Sequence, residues 1–167
     1  MSLRPAAPAD FAFIRGLASR PDYAPFITDE DDAVLAEYLA DPASRLLIWE
    51  MAGEAAGFAL FCKIGEPSGA VELRRLALAG VGGGQGQAFL RALLDYGFGT
   101  LKAARVWLDA SSENPRAMRV YERAGFTLEG RLRQHWYRPV PGRVVDLMLY
   151  GMLRPEWEAL EPLPARA

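Results

Sequence analysis

The spacing of apolar residues changes along the chain between the period of a helix and that of a strand. Apolar residues recur every three or four positions, which predicts helices with one buried face, in three segments: 11–18, 34–39 and 89–101. Short runs rich in β-branched and aromatic residues predict strands at 3–5, 46–51, 56–64, 71–78, 105–109, 126–129 and 144–150. A further helix is expected from Asn114 and Pro115, a helix start, to Gly125, a helix stop.

The order of these elements is β-α-α-β-β-β-α-β-α-β-β. Antiparallel strands come first and a strand–helix–strand–helix–strand section follows, which predicts an α/β fold. We expect a mixed, mostly antiparallel sheet with helices on both faces. A long loop containing His135 and residues 139–142 is expected between the last two strands. The chain is interpreted as one domain over 1–167, with its core at about 3–153 and a tail at 154–167.

Composition and charge exclude several classes of protein. The chain has 19 basic and 21 acidic residues, so its net charge of −2 argues against a nucleic-acid-binding module. A single Cys, Cys62, excludes an internal disulfide framework, and a single His, His135, argues against a His-based metal site. No apolar run approaches the roughly 20 residues that span a bilayer, and the first residues lack a signal-peptide core. A cytoplasmic location without membrane contact is therefore expected.

The most informative segment is a cluster of five glycines within positions 80–86, between a predicted strand and a predicted helix. Glycine weakens both kinds of element, so this cluster indicates a loop whose backbone closely approaches a ligand. Free amides at a helix N-terminus form an anion site, and phosphate is the expected ligand. The dinucleotide fingerprint and the P-loop pattern both fail here. A pyrophosphate site of the acyl-CoA type remains, beside a surface turn that binds nothing.

Two segments carry a resemblance to a known family. One is the loop from Val81 to Gly86 (V-G-G-G-Q-G), and the other reads N-x-x-A-x-x-x-Y-x-x-x-G-F from Asn114 to Phe126. Together with the opening residues 3–10 they resemble the GCN5-related N-acetyltransferases (GNAT), over about residues 3–153. Within that family the chain is most similar to the RimJ/RimL-like branch. Val81 departs from the Gln or Arg that usually begins the family's loop, so backbone amides must bind more of the pyrophosphate.

The resemblance implies an enzyme that transfers an acetyl group from acetyl-CoA to a primary amine by direct attack, without a metal. The acceptor is a small molecule or a protein N-terminus. The family's pattern assigns the general base to Glu72 and the proton donor for the leaving sulfur to Tyr121. Each has a simpler alternative, because Glu72 is spaced to pair with Arg74 and Tyr121 lies on the apolar face of its helix.

The resemblance also assigns a set of residues to coenzyme A binding. Asn114 is assigned to the pantetheine amides, although it is also a good helix cap. Leu76 and Leu78 are assigned through backbone groups exposed at a bulge, and Arg123 through a phosphate contact. The full set is Leu76, Leu78, Gly82, Gly83, Gly84, Gln85, Gly86, Gln87, Asn114, Ala117, Tyr121 and Arg123.

Two other functions stand beside this hypothesis. The first is a module that binds acyl-CoA without turning it over, and the second is a nucleotide-dependent oxidoreductase built on the glycine loop. The acidic segment from Asp29 to Asp32 has two interpretations as well, as a helix cap or as an attraction for a cationic amine. The sequence determines neither the acceptor nor the acyl chain, and a homodimer is one of the assemblies that it leaves open.

Overall fold

Seven strands form one mixed sheet in the computed structural model, which describes residues 1–80 and 82–161. The strands are β1 (Ser2–Pro5), β2 (Arg45–Met51), β3 (Glu54–Cys62), β4 (Ala70–Leu78), β5 (Arg105–Ser111), β6 (Thr127–Arg138) and β7 (Arg143–Leu153). They lie in the order β1-β2-β3-β4-β5-β7-β6, and every neighbouring pair except β4 with β5 is antiparallel. Val81, where the loop departs from the family pattern, and residues 162–167 of the predicted tail lie outside the described residues.

Helices cover both faces of the sheet, which confirms the predicted α/β class. They are α1 (Phe11–Ala18), α2 (Asp32–Ala40), α3 (Gln85–Asp95), α4 (Pro115–Arg123) and α5 (Arg154–Glu158). Alternate residues of β2 divide the core, because successive strand side chains point to opposite faces. Leu46 and Ile48 pack with the buried residues of α1 and α2, whereas Leu47 and Trp49 pack with those of α3 and α4.

The functional cleft arises where β4 and β5 part. These strands pair in parallel only from Ala70 to Glu72, with Glu72 opposite Trp107, and then separate. On its other side β4 stays paired with β3, but the register shifts so that Phe61 faces Leu73 and Leu60 faces Arg75. The residue between them has no partner on β3, which is a β-bulge. The bulge supports the prediction that backbone groups of β4 become exposed here.

The prediction of a long loop around His135 is wrong. Residues Thr127–Arg138 and Arg143–Leu153 form a long antiparallel pair, and His135 lies within β6. The register shifts between Leu128 and Gly130 and again between Leu132 and Trp136, and Gln134 has a φ of +47°. Two bulges and a mostly solvent-exposed strand interrupt the alternation of apolar and polar residues on which strand prediction depends.

The predicted boundary of the tail also differs from the structure. Helix α5 begins at Arg154, and its Trp157 stacks on Phe98 with ring centroids 5.3 Å apart. The Trp157 indole donates to Asp95 Oδ1 at 2.8 Å, and Leu160 packs against the same core. The core therefore continues beyond residue 153. Within 1–80 and 82–161, no helix combines the length and the apolar character that crossing a membrane requires.

Candidate active site

A cavity of about 620 Å³ occupies the gap between β4 and β5. Its walls come from both strands, from the start of α3, from α4, from β6 and β7, and from residues 22–30 between α1 and α2. Of the predicted site residues, it brings together Glu72, Leu76, Leu78, Gly86, Asn114, Ala117 and Tyr121. The cavity therefore joins one residue of the glycine loop to the second motif and to Glu72. The other residues assigned to coenzyme A do not line it: Gly82, Gly83, Gly84, Gln85, Gln87 and Arg123.

The glycine loop presents free backbone amides to one end of the cavity. Gly82, Gly83 and Gly84 have φ values of +98°, +54° and +72°, a region that glycine enters without strain. Gly84 is the N-cap of α3, and the Gln85 amide is used in the turn, donating to Gly82 O at 3.1 Å. Within the described residues, the amides of Gly86 and Gln87 donate to no other group. Two free amides at a helix N-terminus fit a diphosphate.

Side chains next to the loop join α3 to α4. The Gln87 side-chain amide donates to Val120 O at 3.0 Å, so this residue links the helices. Asn114 Oδ1 accepts from the Ala117 amide at 3.1 Å, which is the capping bond of the alternative interpretation, and both residues also line the cavity. Arg123 is exposed and does not line the cavity, so its phosphate contact stays a prediction.

The open edge of β4 supplies further backbone groups. The Ala79 amide bonds to Ala56 on β3, so the backbone groups of Leu76 and Leu78 point toward the gap. The Leu78 amide and carbonyl are both bonded to the Tyr23 hydroxyl, at 3.0 and 2.9 Å. Leu76 therefore has backbone groups without a strand partner in this structure, whereas those of Leu78 are bonded to Tyr23. The coenzyme A contacts of both residues stay a prediction.

Tyr121 projects from α4 into the cavity. The residue is 8% exposed, and its ring packs at 5.8 Å from Tyr150 and 6.1 Å from Phe126. Its hydroxyl makes no hydrogen bond to any residue that the structure describes. Burial, followed by the charge of Asp109, raises the pKa of Tyr121 above its usual range. The phenol therefore stays protonated at neutral pH and is available as a donor.

Two carboxylates lie on the same side of the sheet where the strands part. Glu72 is 8% exposed, and its Oε2 is 2.7 Å from Arg74 Nη2, the ion pair that the spacing predicts. Asp109 lies two residues beyond Trp107, the partner of Glu72, and so points to the same face. Burial, followed by repulsion from Glu72, raises the pKa of Asp109 to about 6, against attraction by Arg74 and His135.

At the end of the cavity away from the glycine loop, a buried arginine of β6 binds the segment between α1 and α2. Arg138, which is 2% exposed, donates to the carbonyls of Ala24 and Pro25 and to Thr28 Oγ1, each at 2.9 Å. Its guanidinium lies 4.1 Å from the ring centroid of Trp136, which lines the cavity. This side chain of β6 thus fixes the segment between α1 and α2 against the end of the sheet.

A second buried arginine, on β4, binds the same segment. Arg75 Nη1 donates to Glu30 Oε2 at 2.5 Å, and Nη2 donates to the Thr28 carbonyl. The Nε atom is buried and has no hydrogen-bond partner among the described residues. Because both terminal nitrogens are bonded and Nε is buried, we interpret Arg75 as a residue that positions the segment between α1 and α2.

The acidic segment from Asp29 to Asp32 serves mainly local structure. Asp29 and Asp32 pair with Arg15 at 3.2 and 3.1 Å, and Asp31 caps α2 by accepting from the Val34 amide. Glu30 is the member that lines the cavity. Among the described residues, no cluster of three or more His, Cys, Asp or Glu side chains is arranged to hold a metal ion.

Sequence reasoning missed three residues of this site: Asp109, Arg75 and Arg138. Asp109 had a local signal, because Val106 and Leu108 alternate with polar or aromatic residues on β5 and place it on the face opposite to the core. The two arginines had none, since a buried arginine and a surface arginine look the same in a sequence.

Comparison with known proteins places the chain among acetyltransferases. The family described as Acetyltransferase (GNAT) domain matches residues 1–127. A spermidine N(1)-acetyltransferase of Vibrio cholerae is 34% identical over 77 residues, and a putative ribosomal N-acetyltransferase (YdaF) of Bacillus subtilis is 39% identical over 71 residues. These segments cover 44% and 42% of this chain and only 43% and 38% of the two relatives.

The fold is also similar to solved structures over nearly its whole length. A crystal structure of the Vibrio cholerae spermidine N-acetyltransferase, in complex with CoA and spermine, covers 94% of this chain and 97% of that chain. Its TM-score is 0.83 and its identity is 22%. At that identity the likeness concerns the fold. Because the family match spans well over half of the residues, the chain belongs to the GNAT acetyltransferase family.

Proposed function

We propose that this protein transfers an acetyl group from acetyl-CoA to a primary amine by direct attack within the cavity between β4 and β5. The observation that carries the proposal is the cavity itself, which joins Gly86, with its free amide, to Tyr121 and to the carboxylates of Glu72 and Asp109. A module that binds acyl-CoA without turnover does not require a proton donor and a proton acceptor in the cavity, whereas Tyr121 and the two carboxylates supply both.

Backbone groups carry the binding of the acyl donor in this proposal. The amides of Gly86 and Gln87, at the N-terminus of α3, hold the diphosphate, with Gly82, Gly83 and Gly84 shaping the loop. The open edge of β4 at Leu76, together with Asn114 and Ala117, directs the pantetheine along the gap. The bound donor supplies a thioester, whose acetyl carbon is the electrophile.

Side chains then move the protons. A primary alkylamine with a pKa near 10 is about 0.1% neutral at pH 7, so forming the nucleophile costs roughly 4 kcal/mol. A carboxylate that takes this proton contributes to the rate, and the family pattern assigns that role to Glu72. The protonated Tyr121 donates to the sulfur as it leaves.

The acceptor and the assembly belong to the same proposal. We propose a cationic primary amine, since two relatives are named for spermidine acetylation and carboxylates line the cavity. A peptide N-terminus is the second class, in line with the RimJ/RimL-like branch and with the relative named as a putative ribosomal N-acetyltransferase. We also propose one N-acetyltransferase domain over 1–167, for which a homodimer is one of the assemblies left open. The cytoplasmic location stays a prediction.

Thiol release from acetyl-CoA, read with a chromogenic reagent, tests the activity. The amines are spermidine, lysine, an aminoglycoside and a peptide with a free N-terminus. We expect at least one class to raise the rate about tenfold over the background, and Tyr121→Phe to lower kcat by about ten- to a hundredfold. Tyr137→Phe, at a 60% exposed tyrosine of β6, is the matched control.

A thermal-shift measurement separates the alternatives. Stabilisation by coenzyme A without turnover of any amine class would support the non-catalytic module. Stabilisation by NAD but not by coenzyme A would support the oxidoreductase. Both proteins with a Tyr→Phe change should keep the stabilisation by coenzyme A, because neither hydroxyl holds the diphosphate.

A further inference from the structure

Five carboxylates line the cavity, and four of them already have an arginine partner. The distances are 2.7 Å for Asp22 with Arg20, 2.5 Å for Glu30 with Arg75, 2.7 Å for Glu72 with Arg74 and 2.7 Å for Glu113 with Arg143. A carboxylate that already accepts hydrogen bonds from an arginine has fewer free oxygen sites for an incoming ammonium. Among these five, the fifth carboxylate is therefore the one whose oxygens are free for a ligand.

That fifth carboxylate is Asp109. In the part of the chain that the structure describes, its side chain makes no hydrogen bond and no ion pair. It lies on β5 just where β4 diverges, beside the Glu72–Arg74 pair, and close enough to Tyr121 that its charge acts on the phenol. A partly buried carboxylate with an open face toward the cavity is unusual unless a cation completes it.

We propose that Asp109, rather than Glu72, receives the ammonium group of the acceptor and takes its proton, while the Glu72–Arg74 pair positions and tunes it. This inference rests on the proposed function. In the step, an N–H bond of the ammonium breaks, its electron pair stays on nitrogen, and the proton forms an O–H bond on Asp109. The nitrogen pair then bonds to the acetyl carbon, and the C–S pair leaves on sulfur with a proton from Tyr121. The second nitrogen proton re-forms the tyrosine hydroxyl, so the net products are amide, thiol and one proton.

The electrostatic surroundings of Asp109 favour this role. Glu72 and Arg74 face it from β4, His135 from β6 and Tyr121 from α4. Burial and the negative charge of Glu72 outweigh the positive charges and raise the pKa of Asp109 from 3.8 to about 6. At neutral pH the carboxylate is still mostly ionised, yet it is about a hundredfold better as a proton acceptor than an ordinary Asp. Glu72, held by Arg74, is the group that supplies the repulsion.

Two isosteric variants separate the candidates. Asp109→Asn should lower kcat/KM for the best amine of the panel by about a hundredfold or more at pH 7, whereas Glu72→Gln should lower it by less than about tenfold. Stabilisation by coenzyme A should persist in both, which shows that both variants are folded. The reverse order of effects would assign the proton to Glu72 and overturn the proposal.

The pH profile gives a readout that a merely structural role would not move. In the wild type, the acidic limb of kcat/KM should have an apparent pKa near 6. In Glu72→Gln this limb should move to lower pH, because the repulsion is gone and Arg74 is freed to attract Asp109. In Asp109→Asn the limb should disappear, and the rate should follow the neutral fraction of the amine.

Carbon-detected NMR of the side-chain carboxyl groups tests the inference without any substrate. The resonance that Asp109→Asn removes should titrate well above the ordinary Asp range in the wild type and at lower pH in Glu72→Gln. Titration near the ordinary value, or no response to Glu72→Gln, overturns the inference even if the enzyme is active. A raised pKa together with inactivity toward every amine would instead count against the proposed function.

Discussion

At the α3 end of the cavity the backbone supplies the polar groups, whereas at the β6 end arginine side chains supply them. The loop end uses amides of Gly86 and Gln87 and three glycines with positive φ. The β6 end uses Arg138, whose bonds to Ala24 and Pro25 join residues more than 110 positions apart. One end is thus built within a few consecutive residues, and the other only when distant parts of the chain have come together.

This difference sets what each end tolerates. Backbone amides keep their positions when neighbouring side chains change, provided that the glycines keep their φ values. Arginine bonds to buried carbonyls fail when one side chain is shortened, because each carbonyl then loses its partner. We therefore expect the loop end to be sensitive at glycines and the β6 end at long charged side chains.

Gly82→Val should have the largest effect. An added Cβ at Gly82 meets nothing within 4 Å, but its φ of +98° is strained for a β-branched residue by about 1–3 kcal/mol. Relief of this strain moves the amides that follow, so we expect the dissociation constant for coenzyme A to rise about a hundredfold in calorimetric titration. Gly16→Val is the control, since Gly16 in α1 also has open space but an ordinary φ. Equal affinities for both variants would refute the backbone origin of this end.

Arg138→Met should destabilise the β6 end of the cavity without affecting coenzyme A binding at the α3 end. The substitution keeps much of the apolar stem and leaves the carbonyls of Ala24 and Pro25 unpaired, which costs about 3 kcal/mol. Urea unfolding measures this loss, and Arg133→Met, at an exposed arginine of the same strand, is the control. KM for the amine should rise in Arg138→Met while the affinity for coenzyme A stays within about twofold. A parallel loss of both would mean that the two ends are not independent.

The same contrast explains which features were predictable from the sequence. The start of α4 at Asn114 and Pro115 and the glycine loop are local signals, and the structure places them as predicted. The last two strands were predicted, but the extension of β6 to Arg138 was missed because its bulges interrupt the alternation, so His135 was expected in a loop. Helix caps and turns depend on residues that are close in the sequence, whereas a bulge is stabilised by hydrogen bonds between strands.

Residues that act over long range were the hardest to predict. Arg138 is one of many arginines, and its burial depends on carbonyls of a segment far away in the chain. Asp109 had a local signal in the alternation on β5, but its open environment follows from the parting of β4 and β5, which neighbouring residues do not indicate. The predicted ion pair of Glu72 with Arg74, in contrast, needed only the spacing on one strand, and the structure contains it.

Asp146→Asn should produce the smallest effect, and one that depends on pH. Asp146 on β7 holds a bulge of β6 by accepting from the Gln134 amide at 2.6 Å and from Arg131 Nε at 2.7 Å. These two groups, the amide first, hold the pKa of Asp146 below its usual range. Because the pKa is lower in the folded state, the charged carboxylate stabilises the fold above the ordinary Asp pKa. That contribution is lost as the pH falls through the folded pKa.

The variant should therefore unfold at a lower urea concentration than the wild type at pH 7, and the gap should narrow as the pH is lowered from about 4 toward 3. Glu54→Gln, at an exposed carboxylate of β3, serves as the control and should show no gap at either pH. The affinity for coenzyme A should be the same in all three proteins, because the bulge lies on β6, away from the glycine loop at the α3 end. A gap that stays constant with pH would mean that the shape of the side chain, and not its charge, holds the bulge. In that case charged side chains would hold the β6 end of the cavity through Arg138, but they would not hold the rest of β6.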